Sequence, residues 1–552
     1  SLREKIYVMK PTTLLSLIIC LILAACAPDE RSADASTSSD LALGQLGQGF
    51  TLSPAAQEKF DEGLLLLHNF EYEDALTAFE EATAMDSTEV FTHWGEAMCH
   101  YKALWKLQNT EKGRAVLARL GDTQAERLAS IDDPLKKEMW ELVEIMYGEG
   151  EFEERNKKIT AHLASLHAKY PSHQEIAAFY ALSLIWATEE YGNGSYDLRL
   201  AASIADKIIE VNPLHPGALH YKIHALDGPT SAEDAHAAAD AYAKVAPDAA
   251  HALHMPSHIY LALGEWEGVI SSNQRSYDAS VKRMIEKELK DGARGYHSLA
   301  WWHYGLLQRG KYEKAEEILN DMLTYVPKDP TKSARGYLLG MQSRQWVESG
   351  KVKNETPLDL DVKVEDLSIT AKAIRSYLRA QVAYQEADIE TIQEEIEWLA
   401  KNIYKDSLNI KASGIAMCAV GNSRYAPTEN SIRIAQVTLT QMEGMEARLK
   451  QDPELFETKM KKATELEDLT NYPTGPPRIT KPSFEQYGEW LLAEGRYEEA
   501  KKQFDQALRR MPKRAKSLEG KFTALKALNQ LDEAQKVQSE LEHIYSQADA
   551  KA

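Results

Sequence analysis

Cysteine is scarce in this chain, and its few cysteines are not spaced for shared chemistry. The 552 residues include four: Cys20 and Cys26 near the N-terminus, then Cys99 and Cys418 far apart from each other. No CxxC pair occurs, which excludes a disulfide framework. Cys99 is expected to be a buried thiol rather than a ligand.

Positive charge and standard catalytic motifs are also lacking. Lys and Arg number 64 against 84 Asp and Glu, a net charge of −20, so a nucleic-acid backbone would be repelled and is excluded as a partner. There is no GxSxG elbow, no P-loop, no GxGxxG after a strand and no HExxH. Standard hydrolase, nucleotide and dinucleotide chemistries therefore have no foothold, and no catalytic residue is assigned. The acidic excess leaves room for cationic ligands, metal ions included.

The N-terminal region carries a targeting signal. Met9 and Lys10 indicate the translation start, so residues 1–8 are expected to be an extension from an earlier start site. The apolar run "LLSLIICLILAAC" is too short for a membrane span. It resembles a bacterial lipoprotein signal peptide over residues 1–26, which implies lipid on Cys26; a plain secretory signal is the alternative.

A polar segment follows the signal. Residues 27–51 begin with the Ser- and Asp-rich stretch "APDERSADASTSSD", which cannot bury enough surface to fold and predicts a disordered tether. Ala27 suits sorting to the outer membrane if the host is Gram-negative. The expected location is the cell envelope, with the protein anchored by lipid.

Beyond the tether the sequence is helical and repetitive. Residues 481–514, "KPSFEQYGEWLLAEGRYEEAKKQFDQALRRMPKR", place Gly488 and Ala500 where two antiparallel helices approach, Phe504 where the next repeat packs, and Pro512 where the second helix ends. This stretch resembles a tetratricopeptide repeat (TPR) of 34 residues. The same frame recurs in other parts of the chain: 56–89, 216–249, 296–329 and 515–548.

These repeats predict an all-α, TPR-type helical-hairpin solenoid with a right-handed superhelical twist. The predicted organisation is an N-terminal TPR solenoid at 52–330, degenerate helical repeats at 331–470, a linker at 471–480 and a C-terminal TPR pair at 481–552. Phrases such as "HPGALHYKIHALD" and "APDAAHALHMPSHIYLALGEWE" resemble a family of bacterial TPR lipoproteins without a settled activity. The resemblance implies a fold and a histidine pattern, but no catalytic roles.

Histidines are concentrated in one part of the chain. Of 16 histidines, nine fall between residues 215 and 303. His220 and His224 occupy positions 5 and 9 of one repeat, and His254 and His258 occupy the same positions of the next, 34 residues on. Each pair is spaced i, i+4, which places both rings on one helical face. Neighbouring first helices lie about 8–10 Å apart, so rings one period apart can meet.

One hypothesis is a transition-metal site formed by His220, His224, His254 and His258. His251 and His297, at position 2 of their repeats, are candidate extra ligands. Neutral imidazoles suit Zn, Cu, Ni and Fe, and a carboxylate would favour Fe, Mn or a two-metal site. The candidate carboxylates are Asp227, Glu189 and Glu190. Pro256 is expected to kink its helix and to direct His254 and His258 separately.

The alternative is a binding module whose concave groove holds a protein, peptide or small ligand. On this interpretation the histidines line the groove or lie in a structural polar layer. Other candidate groove-lining residues are His68, His93, Glu96, His100 and Tyr304. Packing also explains the second cluster at 93–100. The sequence therefore supports two functions: a membrane-anchored TPR binding module, or a metalloprotein built on paired HxxxH motifs.

Overall fold

The computed structural model describes residues 41–105, 107–188, 195–349, 358–410 and 426–549. These segments are almost entirely helical, and most helices pack against the helix that follows them in the sequence. The described strands form one short antiparallel pair, β1 (Tyr101–Lys102) with β2 (Leu107–Gln108). Among the described helices, none is both long and apolar enough to cross a membrane. The predicted all-α, TPR-type fold is confirmed.

The N-terminal helices run from residue 57 to residue 211. Many begin at a polar side chain that accepts a backbone N–H, as Asn109, Asp133 and Ser195 do, because the first turn of a helix leaves its donors without partners. Their bounds are α1 Gln57–His68, α2 Tyr72–Met85, α3 Thr92–Cys99, α4 Thr110–Ala118, α5 Gln124–Ala129, α6 Pro134–Tyr147, α7 Phe152–Lys169, α8 Gln174–Ala187 and α9 Tyr196–Val211.

The middle helices contain the histidine-rich region. Their bounds are α10 Pro216–Ala225, α11 His236–Val245, α12 Ala250–His254, α13 Pro256–Leu263, α14 Trp266–Glu286, α15 Tyr296–Gln308, α16 Tyr312–Tyr325 and α17 Lys332–Ser349. The described chain also has three short 3₁₀ turns, at Ala103–Trp105, Ala232–Ala235 and Asp291–Ala293. The first helix of each predicted repeat here is α10, then α12 with α13, then α15.

The C-terminal helices begin after residues 350–357, and α19 and α20 are separated by residues 411–425; both of these stretches lie outside the described residues. Their bounds are α18 Ile369–Gln385, α19 Ile389–Ser407, α20 Glu429–Leu449, α21 Pro453–Asp468, α22 Ser483–Ala493, α23 Tyr497–Arg510, α24 Ala515–Ala527 and α25 Leu531–Ile544. The clearest sequence repeat, 481–514, is the hairpin of α22 and α23, as its spacing predicts.

A glycine–phenylalanine contact joins successive hairpins at both ends of the chain. A Cβ on Gly63 would lie 2.8 Å from the ring of Phe79, and one on Gly95 would lie 2.3 Å from the same ring. Only glycine lets a helix approach the ring so closely from either side. The same device recurs with identical spacing in the C-terminal pair, at Gly488, Phe504 and Gly520.

Part of the predicted tether is ordered, which corrects its boundary. Residues from 42 onward belong to the same compact unit as the helices. Leu43 and Phe50 are buried in the N-terminal core, and the backbone N–H of Gln45 donates to the carbonyl of Leu214 (2.9 Å). The segment is ordered because its apolar side chains join the helical core: Phe50 packs against the rings of Phe60, Phe91 and Trp94. Residues 1–40, with Cys26, lie outside the described residues.

The segment predicted as a linker, 471–480, is packed rather than extended in solvent. Ile479 and Thr480 are buried, and Arg344 donates to the carbonyl of Pro477 (3.2 Å). Gly475 has φ +155° and lies so close to Trp301 that a Cβ there would be 2.5 Å from the indole. The glycine and proline residues of this segment therefore let the chain pack closely against α15.

The C-terminal pair returns to the middle of the chain. Trp266 on α14 donates its indole N–H to the carbonyl of Lys513 (3.0 Å), and the N–H of Ala515 donates to Gln308 (3.1 Å). Leu261 and Met511 share one buried apolar cluster. These long-range contacts hold α24 and α25 against α13–α15, next to the histidine-rich helices.

Candidate functional site

Three consecutive first helices bring the histidines together. His215 accepts the N–H of Ala218 at the start of α10, where Pro216 fits the first helical position. In the next repeat, Pro256 divides the helix in two, so α12 ends at His254 and α13 begins immediately afterwards. Pro256 interrupts the helix as predicted, but it does not direct His254 and His258 separately, because their Nε2 atoms lie 3.1 Å apart.

Six histidines form two sets of three. The first triad is His220, His224 and His251; the second triad is His254, His258 and His297. Within each triad, one nitrogen from every ring lies within 4.8 Å of the others. The shortest Nε2–Nε2 distances are 3.1 Å for His220 and His251, 3.1 Å for His254 and His258, and 3.0 Å for His254 and His297.

The grouping differs from the single four-histidine site that the sequence predicts. Each triad takes positions 5 and 9 of one repeat and position 2 of the following repeat. His251 and His297 are therefore full members, and the two HxxxH pairs belong to different triads. The sequence signal was present, because each HxxxH pair is followed one unit later by a position-2 histidine. The prediction pairs like positions of neighbouring repeats, whereas in the structure the position-2 ring reaches back to the preceding repeat.

The Nδ1 atoms of three triad histidines face groups that can only accept a proton. His220 donates to the backbone carbonyl of His68 (2.7 Å), and His258 donates to the Asp227 carboxylate (2.6 Å). His254 donates to the side-chain oxygen of Asn273 (2.6 Å), whose amide N–H₂ is oriented by the carbonyl of Val269. In a neutral ring a proton on Nδ1 leaves a lone pair on Nε2.

Two histidines of the second triad therefore present lone pairs to each other. His254 and His258 both carry Nδ1 protons, yet their Nε2 atoms are 3.1 Å apart. Two acceptors at that distance repel, and a cation between them turns the repulsion into attraction. Carboxylate, carbonyl and amide partners on Nδ1 are the usual supports of a metal-binding imidazole. The arrangement can hold a metal ion.

Four of the six rings are neutral at physiological pH. Burial lowers the pKa of His220 to about 3. Burial, followed by the proximity of other histidines, also holds the pKa of His224, His251 and His254 well below the usual range. A shared proton is therefore a poor replacement for a metal ion between these rings.

Aromatic side chains enclose both triads. Phe70 lies 4.3 Å from His220 between ring centroids and stacks on His251; its φ of 57° is strained for a bulky residue. Trp301 lies 4.6 Å from His258. His251 and His297 are half-buried, whereas the other four triad histidines are fully buried. Among the triad rings, these two are the ones with surface exposed to solvent.

A third buried group lies behind the first triad. Glu175 accepts from His68 (2.7 Å) and faces His215 (3.2 Å), and Tyr221 contacts the other nitrogen of His68 (2.8 Å). Burial raises the pKa of the Glu175 carboxyl, but the two histidines outweigh it and lower the pKa overall. His68 therefore lies in a buried hydrogen-bonded network, and its carbonyl positions His220.

Four of the five candidate groove-lining residues are buried, and the fifth, His100, is partly exposed. His68, Glu96 and Tyr304 have no exposed surface, and His93 is 7% exposed. Glu96 pairs with Arg119 (2.7 Å), so its helical face is used for packing.

The second cluster is separate from the triads. Among the described residues, neither His93 nor His100 joins a group able to hold a metal ion. The candidate carboxylates Glu189 and Glu190 lie outside the described residues. Asp227 accepts a hydrogen bond from Nδ1 of His258 (2.6 Å), and its role as an extra ligand stays a prediction.

No protein-family model and no curated protein matches this chain. Among solved structures, the chain is similar to the crystal structure of yeast Tom70, with 10% identity over 89% of this chain and 90% of that chain (TM-score 0.31). It is also similar to a monomeric IFIT1 mutant with Gppp-AAAA, with 13% identity over 87% and 95% (TM-score 0.35). A third likeness is Naa15/Naa10 bound to HypK-THB, with 12% identity over 89% and 68% (TM-score 0.24).

At these identities the likeness concerns the fold alone. Fold and site together define a TPR-type helical module in which two histidine triads span three consecutive repeats.

Proposed function

We propose that this protein is a metal-binding module that holds two copper ions, one in each histidine triad. The observation that carries the proposal is the pair of Nε2 lone pairs, 3.1 Å apart, on His254 and His258, whose Nδ1 protons are fixed by Asn273 and Asp227. In the first triad, His220 has its Nδ1 proton fixed by the carbonyl of His68, and its Nε2 lies 3.1 Å from the Nε2 of His251.

Copper is favoured over Fe by the ligand set, and over Zn by the charge that the buried pocket has to accept. Each triad offers three imidazoles and no carboxylate, whereas Fe sites of this size commonly include a carboxylate. The pocket is buried, so a monovalent ion such as Cu(I) adds less uncompensated charge than a divalent one. Copper(II) also has the highest intrinsic affinity for nitrogen ligands among the divalent ions.

Metal analysis tests this proposal. The purified chain, loaded with copper and washed by gel filtration, should retain two ions per chain. The double variant His254→Ala/His258→Ala should retain one, and so should His220→Ala/His224→Ala, because each removes one triad. His236→Ala is the matched control: His236 pairs with Glu265 (3.0 Å) outside the triads, so two ions should remain. A wild-type chain that retains no copper would overturn the proposal.

Asp227 should act as a positioning residue for the second triad. Asparagine keeps the size of Asp227 but loses the charge that orients His258, so Asp227→Asn should weaken copper binding at the second triad about 10–100-fold. The first triad should be unaffected. Competitive titration with a copper chelator measures both sites. Asp240→Asn is the control, because Asp240 is exposed and bonds to Tyr260 rather than to a triad. Equal affinities in all three proteins would contradict the role of Asp227.

A protein or peptide partner is the second candidate ligand of the module, as TPR-type scaffolds are a binding class. The observation that favours a separate surface is the burial of the histidines: a peptide cannot reach four of the six rings. We therefore infer that a partner binds elsewhere on the helical array. Partner capture should persist in His254→Ala/His258→Ala, whereas copper binding should not.

We also propose that lipid on Cys26 anchors the protein in the cell envelope, at the outer membrane facing the periplasm in a Gram-negative host. The "LAAC" sequence and Ala27 support this. Cells grown with radiolabelled palmitate should label the wild-type chain and the control Cys20→Ser, which lacks a cysteine inside the apolar run. Cys26→Ser should be unlabelled and should leave the membrane fraction. Equal labelling of Cys26→Ser would rule out this anchor.

A further inference from the structure

One short helix contributes to both triads. α12 carries His251 of the first triad and His254 of the second, spaced i, i+3, with 6.1 Å between their ring centroids. His224 and His258, one from each triad, are 5.9 Å apart. These distances fall within the range found inside the first triad, where the centroids lie 4.7–6.4 Å apart. The six rings are therefore one continuous cluster.

The continuity fixes where two ions would lie. A metal–imidazole bond is about 2 Å long, so each ion lies next to the Nε2 atoms of its own triad. His251 and His254 are three residues apart and are therefore neighbours on the surface of α12. The two ions would accordingly lie next to each other beside this helix. With three protein ligands each, both ions keep an open position. One small molecule can occupy both open positions.

We propose that the two copper ions form one dinuclear centre that binds a single dioxygen molecule between them as peroxide. This proposal rests on the copper binding proposed above. Each Cu(I) gives one electron and becomes Cu(II). The two electrons reduce the O–O double bond of dioxygen to the single bond of peroxide, and two copper–oxygen contacts form. No proton moves, and no group leaves.

The charge balance of the pocket supports this reaction. Two Cu(I) ions carry two positive charges; two Cu(II) ions with a bridging peroxide carry the same two. The buried site therefore oxidises its ions without burying additional charge, which would be costly in a pocket of low polarity. An unbridged pair of Cu(II) ions would double the charge in that pocket.

Access to the centre selects for a small molecule. Only His251 and His297 are partly exposed among the six histidines. Trp301 packs against all three histidines of the second triad, and Phe70 and Trp105 pack beside His251. Apolar rings therefore enclose a mostly buried centre, which suits a small apolar molecule such as dioxygen better than a peptide.

The test is the stoichiometry of dioxygen uptake by the anaerobically Cu(I)-loaded chain. We expect one dioxygen for every two coppers, and a copper electron paramagnetic resonance signal far below the copper content, because the bridged ions are coupled. His254→Ala/His258→Ala and His220→Ala/His224→Ala, with one copper each, should take up no stoichiometric dioxygen. After chemical oxidation each variant should give a full signal. His236→Ala should behave as the wild type does.

The outcomes separate the two proposals. A chain that retains no copper overturns the proposed function and this inference together. A chain that retains two coppers, but gives a full-intensity signal when oxidised and takes up no dioxygen in that ratio, overturns the dinuclear centre alone. Uptake that is merely halved in the single-triad variants also overturns it, because the ions would then be reacting independently.

Discussion

Replacing Arg514 with methionine should lower the free energy of unfolding by about 3–5 kcal/mol, because it leaves buried carboxylates without their cation. Arg514 is fully buried. It donates two hydrogen bonds to Glu485 (2.8 and 3.0 Å) and also pairs with Glu348. Tyr304, on α15, contacts the same guanidinium (3.1 Å). The side chain thus joins α15, α17 and α22 at the point where the C-terminal pair returns.

The pH dependence of this loss has a definite sign. Burial raises the pKa of Glu485, but the charge and hydrogen bonds of Arg514 outweigh it and lower the pKa to about 2, from an ordinary value of 4.5. A lowered folded-state pKa contributes stability above pH 4.5 that is lost as the pH falls towards 2. The difference between the wild type and Arg514→Met should therefore shrink in acid.

Arg509→Ala is the matched control for Arg514→Met. Arg509 also pairs with a carboxylate, Asp468 (2.7 Å), but both side chains are about half exposed. An exposed pair contributes about 0–1 kcal/mol, so the control should remain close to the wild type. Urea denaturation followed by tryptophan fluorescence measures all three proteins. Similar losses for the two arginine variants would show that the buried network does not hold the C-terminal pair.

The fold was largely predictable because the residues that bring the helices of a repeat together recur at fixed positions in the sequence. Gly488 and Phe504 appear at their repeat positions in the sequence, and the structure places them in contact. The boundaries at 42–51 and 471–480 were not predictable from composition. Polarity and breaker residues mark both segments as loops, but Phe50 and Ile479 are buried by helices distant in sequence. A local pattern does not reveal which distant surface will cover it.

The candidate site was predictable in its members but not in its grouping. The sequence identifies His220, His224, His254 and His258 by position, and suggests His251 and His297 as neighbours. Assigning His251 and His297 to the preceding repeat requires knowing the direction in which each side chain points. The sequence pattern does not give that direction. Asn273 has no sequence signal, because its role depends on a contact between α12 and α14.

Chelating the ions from the copper-loaded chain should lower the free energy of unfolding by about 4 kcal/mol for each site held at a thousandfold excess of free ion over its Kd. The reason is that each triad draws its rings from two consecutive repeats, which unfolding separates. Thermal and urea denaturation at a series of buffered Cu(I) concentrations measures the effect. The single-triad variant His254→Ala/His258→Ala should show one site's increment rather than two.

His251→Ala gives the sharpest check on why the ions stabilise the fold. His220 and His224 lie one turn apart on α10, and such a local pair can bind copper even in an unfolded chain. Binding to the unfolded state adds no stability, so only the ring from the next repeat couples the ion to folding. His251→Ala should therefore lose most of the stabilisation at the first triad while still binding copper weakly. An undiminished increment would mean that the first site is local to α10 and does not span the repeats.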